Sequence, residues 1–301
     1  MVHRLPPLAP ALLAAALLFP APATAQEAEP KPEPAPAEAT KPVPDPALEA
    51  AVREELRLAD DKELKADDLR NLYFLRAPDA EVKSLDGLER CVNLSLIDLS
   101  GNAIESLDPL ASLTNLQSID LSGNAITSLD PLSKLTGLQY LKLDDNQVTD
   151  LTPLVALERL SALYLADNKV TNLGPLENLE RLTSLDLANN GVTDVGPLAG
   201  LKWLSTVTLT GNQITDITPL AGLTDLRFLI LKDNKVTDLA PLAAAATEDA
   251  AGPKRFAPYL QLYLAGNPLG DAAAKQIETL KAAGVRVTLN EPQDEPGPTD
   301  E

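Results

Sequence analysis

The chain has 301 residues, 45% of them hydrophobic but only 3% aromatic, so its core must be built from Leu, Ile, Val and Ala. Forty-four acids against 25 bases give a net charge of −19, which disfavours nucleic acid or an anionic membrane surface as a partner. One histidine, His3, one cysteine, Cys91, and 26 prolines exclude much of catalytic chemistry and any long uninterrupted helix.

Residues 1–25 read as a secretory signal: Arg4 gives the positive start, Leu8 to Phe19 an apolar run, and Ala23-Thr24-Ala25 the small-residue cleavage site. That run is too short to span a bilayer core, which takes about 20 helical residues. With no longer apolar run downstream, the chain is expected to lack a transmembrane segment and to be exported, either periplasmic or extracellular. Cleavage before Gln26 removes His3 and Arg4, leaving 24 bases against 44 acids and no histidine. Residues 26–46 carry seven prolines among Glu, Ala and Lys and read as a disordered, extended linker. Residues 290–301 read as an acidic disordered tail.

Asp45-Pro46 can start a helix whose Leu48, Val52 and Leu56 share one face, giving an N-terminal helical cap over 47–71. From 72 to 289 a repeat takes over. Asparagine recurs at 102, 124, 146, 168, 190, 212 and 234, and proline at 109, 131, 153, 175, 197, 219 and 241, always 22 residues apart. One unit reads Leu116-x-x-Ile119-x-Leu121-x-x-Asn124-x-Ile126-x-x-Leu129-x-Pro131-Leu132, which is the leucine-rich-repeat pattern. The alternation Ile119-x-Leu121 is a short strand with its apolar side inward. Stacked units predict an α/β leucine-rich repeat solenoid, with a parallel concave sheet and short 3₁₀ or helical turns on the convex side. The asparagine amide is expected to pair backbone groups otherwise buried without partners, and Asp150, Asp194, Asp216 and Asp238 to cap the convex turns. Cys91, between Leu88 and Leu94, reads as a small residue packed at the core's edge.

Stepping back 22 residues from Leu94 and Ile97 lands on Leu72 and Leu75, a degenerate first repeat with Ala80 and Gly87 where asparagine and proline are due. At the other end Asn267 follows Asn234 by 33 residues, an 11-residue insertion expected within 246–256. Beyond it, Asp271 is expected to cap a helix carrying Ile277 and Leu280, with Gly284 as its stop and Val285 to Leu289 as a last strand. This helix and strand form the C-terminal cap.

The unit Asn-x-[Ile/Val]-[Thr/Ser]-[Asp/Ser]-Leu-x-Pro-Leu resembles that of the bacterial internalins, and the helix running into Ser84-Leu85-Asp86-Gly87-Leu88-Glu89 is similar to their N-terminal cap. The resemblance covers roughly Pro46 to Leu289. It implies a secreted or surface-held protein whose concave sheet binds another protein. The immunoglobulin-like domain and sorting signal typical of internalins have no counterpart among the residues after Leu289.

Catalytic signals are lacking. No histidine survives maturation, so the usual general base, zinc ligand and Ser-His-Asp triad are missing, and no phosphate-binding glycine loop occurs. Asp144, Asp145, Asp167 and Asp186 can approach one another on the concave side, but nothing in the sequence suggests the raised pKa a general acid needs. No enzyme activity, metal or cofactor is expected. The outward strand positions run Leu96, Ser118, Tyr140, Ala162, Ser184, Thr206, Phe228, Gln261 in one column and Asp98, Asp120, Lys142, Tyr164, Asp186, Thr208, Ile230, Tyr263 in the next. Tyr140 and Tyr164 are diagonal neighbours, and Phe228, Ile230 and Tyr263 cluster toward the C-terminal end. Aromatic groups gathered on a polar face are interface anchors. Tyr140, Lys142, Tyr164, Asp186, Phe228, Ile230 and Tyr263 are therefore the expected binding residues, for a protein or glycan ligand, on a monomer. Trp203, outside both columns, is expected to pack against a connecting loop. The alternative is a structural or assembly component of the envelope, acting through the Pro-rich tail and the 246–256 insertion.

Overall fold

A computed structural model describes residues 41–59 and 61–290; the expected signal, residues 26–40 of the expected linker and residues 291–301 of the expected tail lie outside the described residues. Ten three-residue strands form one parallel sheet in chain order: β1 Phe74–Arg76, β2 Leu96–Asp98, β3 Ser118–Asp120, β4 Tyr140–Lys142, β5 Ala162–Tyr164, β6 Ser184–Asp186, β7 Thr206–Thr208, β8 Phe228–Ile230, β9 Gln261–Tyr263 and β10 Arg286–Thr288. Neighbouring strands from β1 to β8 pair in register one repeat apart, as in Ile97 with Ile119 and Leu141 with Leu163. The middle residue of each strand points into the core because side chains alternate along a strand, and from β1 to β9 all of these are buried. Leucine, isoleucine and valine fill the core from end to end, each contributing about 1.5–3 kcal/mol by burial. The expected parallel solenoid is the observed architecture.

On the convex side six of the seven proline positions open 3₁₀ turns, from Asp108–Leu110 to Thr218–Gly222. The expected aspartate caps are present as Asx turns. Asp150, Asp194 and Asp216 each accept an N–H two residues on, at 2.7–2.8 Å. Ser106, Ser128 and Asn172 do the same in other repeats, so the role belongs to any short oxygen-bearing side chain at that position.

The asparagines form a ladder. Asn212, 1% exposed, accepts from the Val192 N–H at 2.9 Å, while its amide nitrogen reaches the carbonyls of Leu187 (2.8 Å), Leu209 (3.0 Å) and Thr210 (3.2 Å). The same set recurs at every asparagine of the repeat and at Asn267, where the partners are Val236, Leu231, Leu264 and Ala265.

Order begins before the expected cap. Val43, placed by its proline-rich surroundings in the linker, is fully buried. Helix α1, Pro46–Glu55, starts at Asp45, whose one carboxylate oxygen accepts from Ala47 and Leu48 and whose other accepts from Lys83 and Ser84 of the first repeat. Burial opposes its ionisation, but these four backbone donors prevail and hold its pKa below the usual value. Gly87 replaces proline for a steric reason. Its φ is +100°, and a β-carbon there would run into the Pro42 carbonyl.

The C-terminal insertion takes the form of a helix and a loop. The seventh proline position opens a full helix, α2 Ala240–Ala251, so the added residues lengthen a convex turn into a helix and a following loop. Asp249, 6% exposed, braces that loop by accepting from the N–H groups of Arg255, Phe256 and Ala257, and Phe256 is buried. Helix α3, Ala273–Ala282, is not capped by Asp271: its N-cap is Ala272, with no side-chain hydrogen bond. Gln276 ties α3 to the seventh repeat instead, accepting from the Leu239 N–H at 2.9 Å and donating to Asp238. Cys91 lies deeper than its expected place. It occupies the column continued by Leu113, Leu135 and Leu157 and is fully buried, which pushes its thiol up to about 12, with Glu89 adding to the effect.

Two measurements test this frame. Asn212→Ala is expected to cost roughly 3 kcal/mol in denaturant unfolding, because several buried backbone groups lose their partner and each costs about 1–3 kcal/mol unpaired; a loss under about 1 kcal/mol would refute the ladder's role. Cys91 should resist aromatic disulfide reagents in the native chain at mildly alkaline pH and react fully once the chain is unfolded.

Candidate functional site

The strands leave two residues each on the open face of the sheet, and these build the site. In the first column Tyr140 pairs in register with Ser118 and Ala162; in the second Lys142 lies between Asp120 and Tyr164. All seven expected binding residues, Tyr140, Lys142, Tyr164, Asp186, Phe228, Ile230 and Tyr263, lie on this face and are half-buried. The Tyr140 and Tyr164 rings meet across the columns, centroids 5.5 Å apart and tilted by 44°, a favourable offset geometry. Ile230 is in register with Tyr263, and Phe228 with Gln261, whose side-chain oxygen accepts from the Tyr263 hydroxyl at 3.2 Å.

The acids on this face do more than carry charge. Asp98, Asp120 and Asp186 each accept an N–H two residues on, at 2.9–3.2 Å, closing the strand's exit. Asp144 instead accepts from Ala166 in the next repeat, at 2.8 Å. Lys142 sits 4.0 Å from both Asp120 and Asp144. Burial pushes the Asp144 carboxyl up to about 6; the Ala166 N–H and Lys142 oppose the rise, and Asp186 and Asp120 add to it. Burial also raises Asp186. No sequence signal marks these two raised acids. The sequence shows acids at solvent-facing positions but not how far neighbouring side chains in a stacked sheet desolvate them. Asp145 and Asp167 occupy left-handed turn positions, with φ of 53° and 55°.

Two aromatic residues take places not foreseen. Phe74 heads the first column, 49% exposed, with the Arg76 guanidinium 5.7 Å from its ring centroid. Stepping back 22 residues from Leu96 finds it. Trp203 is 63% exposed and lines a shallow groove with Arg159, Arg181 and Thr183 on the flank of the solenoid. Among the described residues, no group of three or more His, Cys, Asp or Glu is disposed to hold a metal ion, and no helix is long and apolar enough to cross a membrane.

These features define a leucine-rich repeat protein, and the family model described as leucine-rich repeats (2 copies) matches residues 114–156, 158–202, 180–222 and 202–244. The solved structure of internalin C2 from Listeria monocytogenes is 37% identical, with a TM-score of 0.65, over 67% of this chain and 90% of that one. The chain belongs to the bacterial internalin-type leucine-rich repeat family. A leucine-rich repeat protein of Leptospira interrogans shares the fold at 21% identity and a TM-score of 0.59, over 69% of this chain and 57% of that one. No curated protein matches the chain.

The raised Asp144 pKa has a stability consequence. Between the ordinary carboxylate value of 3.8 and about 6 the folded chain holds a proton that the unfolded chain has released, so stability falls as pH rises through that window. Asp144→Asn keeps an acceptor for the Ala166 N–H and removes the buried charge. It should raise Tm above the window and leave Tm unchanged below it; a difference independent of pH would contradict the assignment.

Proposed function

We propose that this chain is a non-catalytic binding protein that works outside the cytoplasm and holds a protein partner on the concave sheet face. The observation that carries this reading is the tilted Tyr140–Tyr164 ring contact on a solvent-facing sheet, with Phe228, Ile230 and Tyr263 farther along the same two columns. Strand propensity alone accounts for aromatic residues in strands, but not for their gathering on the outward face of a chain whose core uses almost none. Lys142, Asp120, Asp144 and Asp186 supply charge around the Tyr140–Tyr164 pair, suited to steering and orienting a polar or basic partner. Internalin-type membership supports the protein-binding role, and the signal-like residues 1–25 support export. The absence of histidine after cleavage and the structural duties of Asp98, Asp120 and Asp186 weigh against catalysis.

The test is a pulldown from envelope and extracellular fractions, with captured proteins read by mass spectrometry. Replacing Tyr140, Tyr164, Phe228 and Tyr263 by Ala should abolish capture, since buried aromatic anchors each cost about 2 kcal/mol or more on truncation. Melting temperature verifies that the variant is folded. Unchanged capture by the folded variant would end the concave-face reading; retention of a glycan in place of a protein would change the partner's class.

A further inference from the structure

The solenoid has a second surface that the concave-face reading does not use: the flank where the chain enters the strands. Three residues ahead of β5, β6 and β7 stand Arg159, Arg181 and Trp203, in consecutive repeats. One residue ahead of β4, β5 and β6 stand Gln139, Ser161 and Thr183. Together these six line a shallow groove of about 470 Å³.

Its chemistry is specific. In a chain of net charge −19, Arg159 and Arg181 are exposed, and neither forms an ion pair or side-chain hydrogen bond among the described residues. Other arginines on the same flank are engaged: Arg255 pairs with Asp225 at 3.0 Å, and Arg227 lies 4.9 Å over the Tyr259 ring. Glu158 and Glu180 precede the two arginines in sequence and line neighbouring hollows together with them, yet form no ion pair with them. Trp203 is the most exposed of the large hydrophobic side chains among the described residues. The Ser161 and Thr183 hydroxyls donate to the carbonyls of Gln139 and Ser161, both at 3.0 Å, so their oxygens face outward as acceptors.

Two planar guanidiniums one repeat apart match carboxylates presented at intervals. Outward hydroxyl and amide groups match hydroxyls, and an indole face matches the apolar face of a sugar ring. Trp203 is the one apolar side chain among the six that line the groove, so apolar peptide side chains find no second subsite in it. We propose that this flank is a binding site for a carboxylated, uronic-acid-type oligosaccharide, with Arg159 and Arg181 each holding a carboxylate and Trp203 stacking on a ring.

Calorimetric titration of the full chain at low ionic strength tests this, using a short oligogalacturonate, a neutral oligosaccharide of equal length and an oligoglutamate peptide. Only the oligogalacturonate should bind. The double variant Arg159→Gln/Arg181→Gln, and separately Trp203→Ala, should each weaken it roughly tenfold or more. The four-alanine concave-face variant should bind as the parent does, so failure of one site is distinguishable from failure of the other. All three flank substitutions are at exposed positions, and unchanged melting temperatures establish that the variants are folded. The proposal is overturned if the oligogalacturonate does not bind, if the neutral sugar or the peptide binds as well, if the flank variants bind unchanged, or if binding is lost in the concave-face variant.

Discussion

Where the chain leaves each short strand it turns within reach of the leucine core, and some of the N–H and C=O groups of that turn are paired by neither strand nor neighbouring backbone, as with the Leu209 carbonyl and the Val192 N–H that Asn212 serves. A buried peptide group without a partner costs about 1–3 kcal/mol, so a stack of such turns cannot persist on leucine packing alone. The asparagine side chain resolves this with one oxygen and one nitrogen, closing its own turn and the turn of the preceding repeat. That constraint fixes the strand register, and the register places the outward columns. The candidate surfaces on the face and on the flank both follow from it.

Much of the architecture was legible because the physics repeats. A 22-residue step in asparagine, proline and leucine specifies strand, turn and core position in each unit, and small polar side chains ahead of the prolines mark the Asx turns. The chain departs from expectation where the repeat does. Val43 sits among prolines, and composition alone assigns such a run to a flexible linker; one buried valine and the four hydrogen bonds of Asp45 decide otherwise. The insertion after Pro241 carries alanines at helical density, yet reading it as an interruption of the period hides that it extends the turn before it. Asp271 has a capping residue's identity but not its position, because α3 is held through Gln276.

The site was legible as a set of columns but not as an electrostatic environment. Alternation within strands and the repeat step together place Tyr140 beside Tyr164. They do not reveal that Asp144 reaches across to Ala166 and is desolvated there, since that depends on side-chain rotamers and on the bulk of neighbouring rows. Nor do they reveal the flank. Positions one and three residues ahead of a strand look like ordinary loop residues until the stack sets Arg159, Arg181 and Trp203 side by side.

The asparagine amide also gives the solenoid a direction. Each one accepts from an N–H 20 residues earlier, in the repeat already laid down, as Asn124 does from Ile104 and Asn234 from Ile214. Ala80 is tolerated in the first repeat because no earlier turn of this kind awaits an amide, and its own turn is closed by Asn102. A chain emerging from its amino end therefore always carries one unfinished turn, which the next repeat completes. For the seventh repeat that wait is longest: Val236 is served by Asn267, 31 residues on, after α2 and the loop braced by Asp249 have been made.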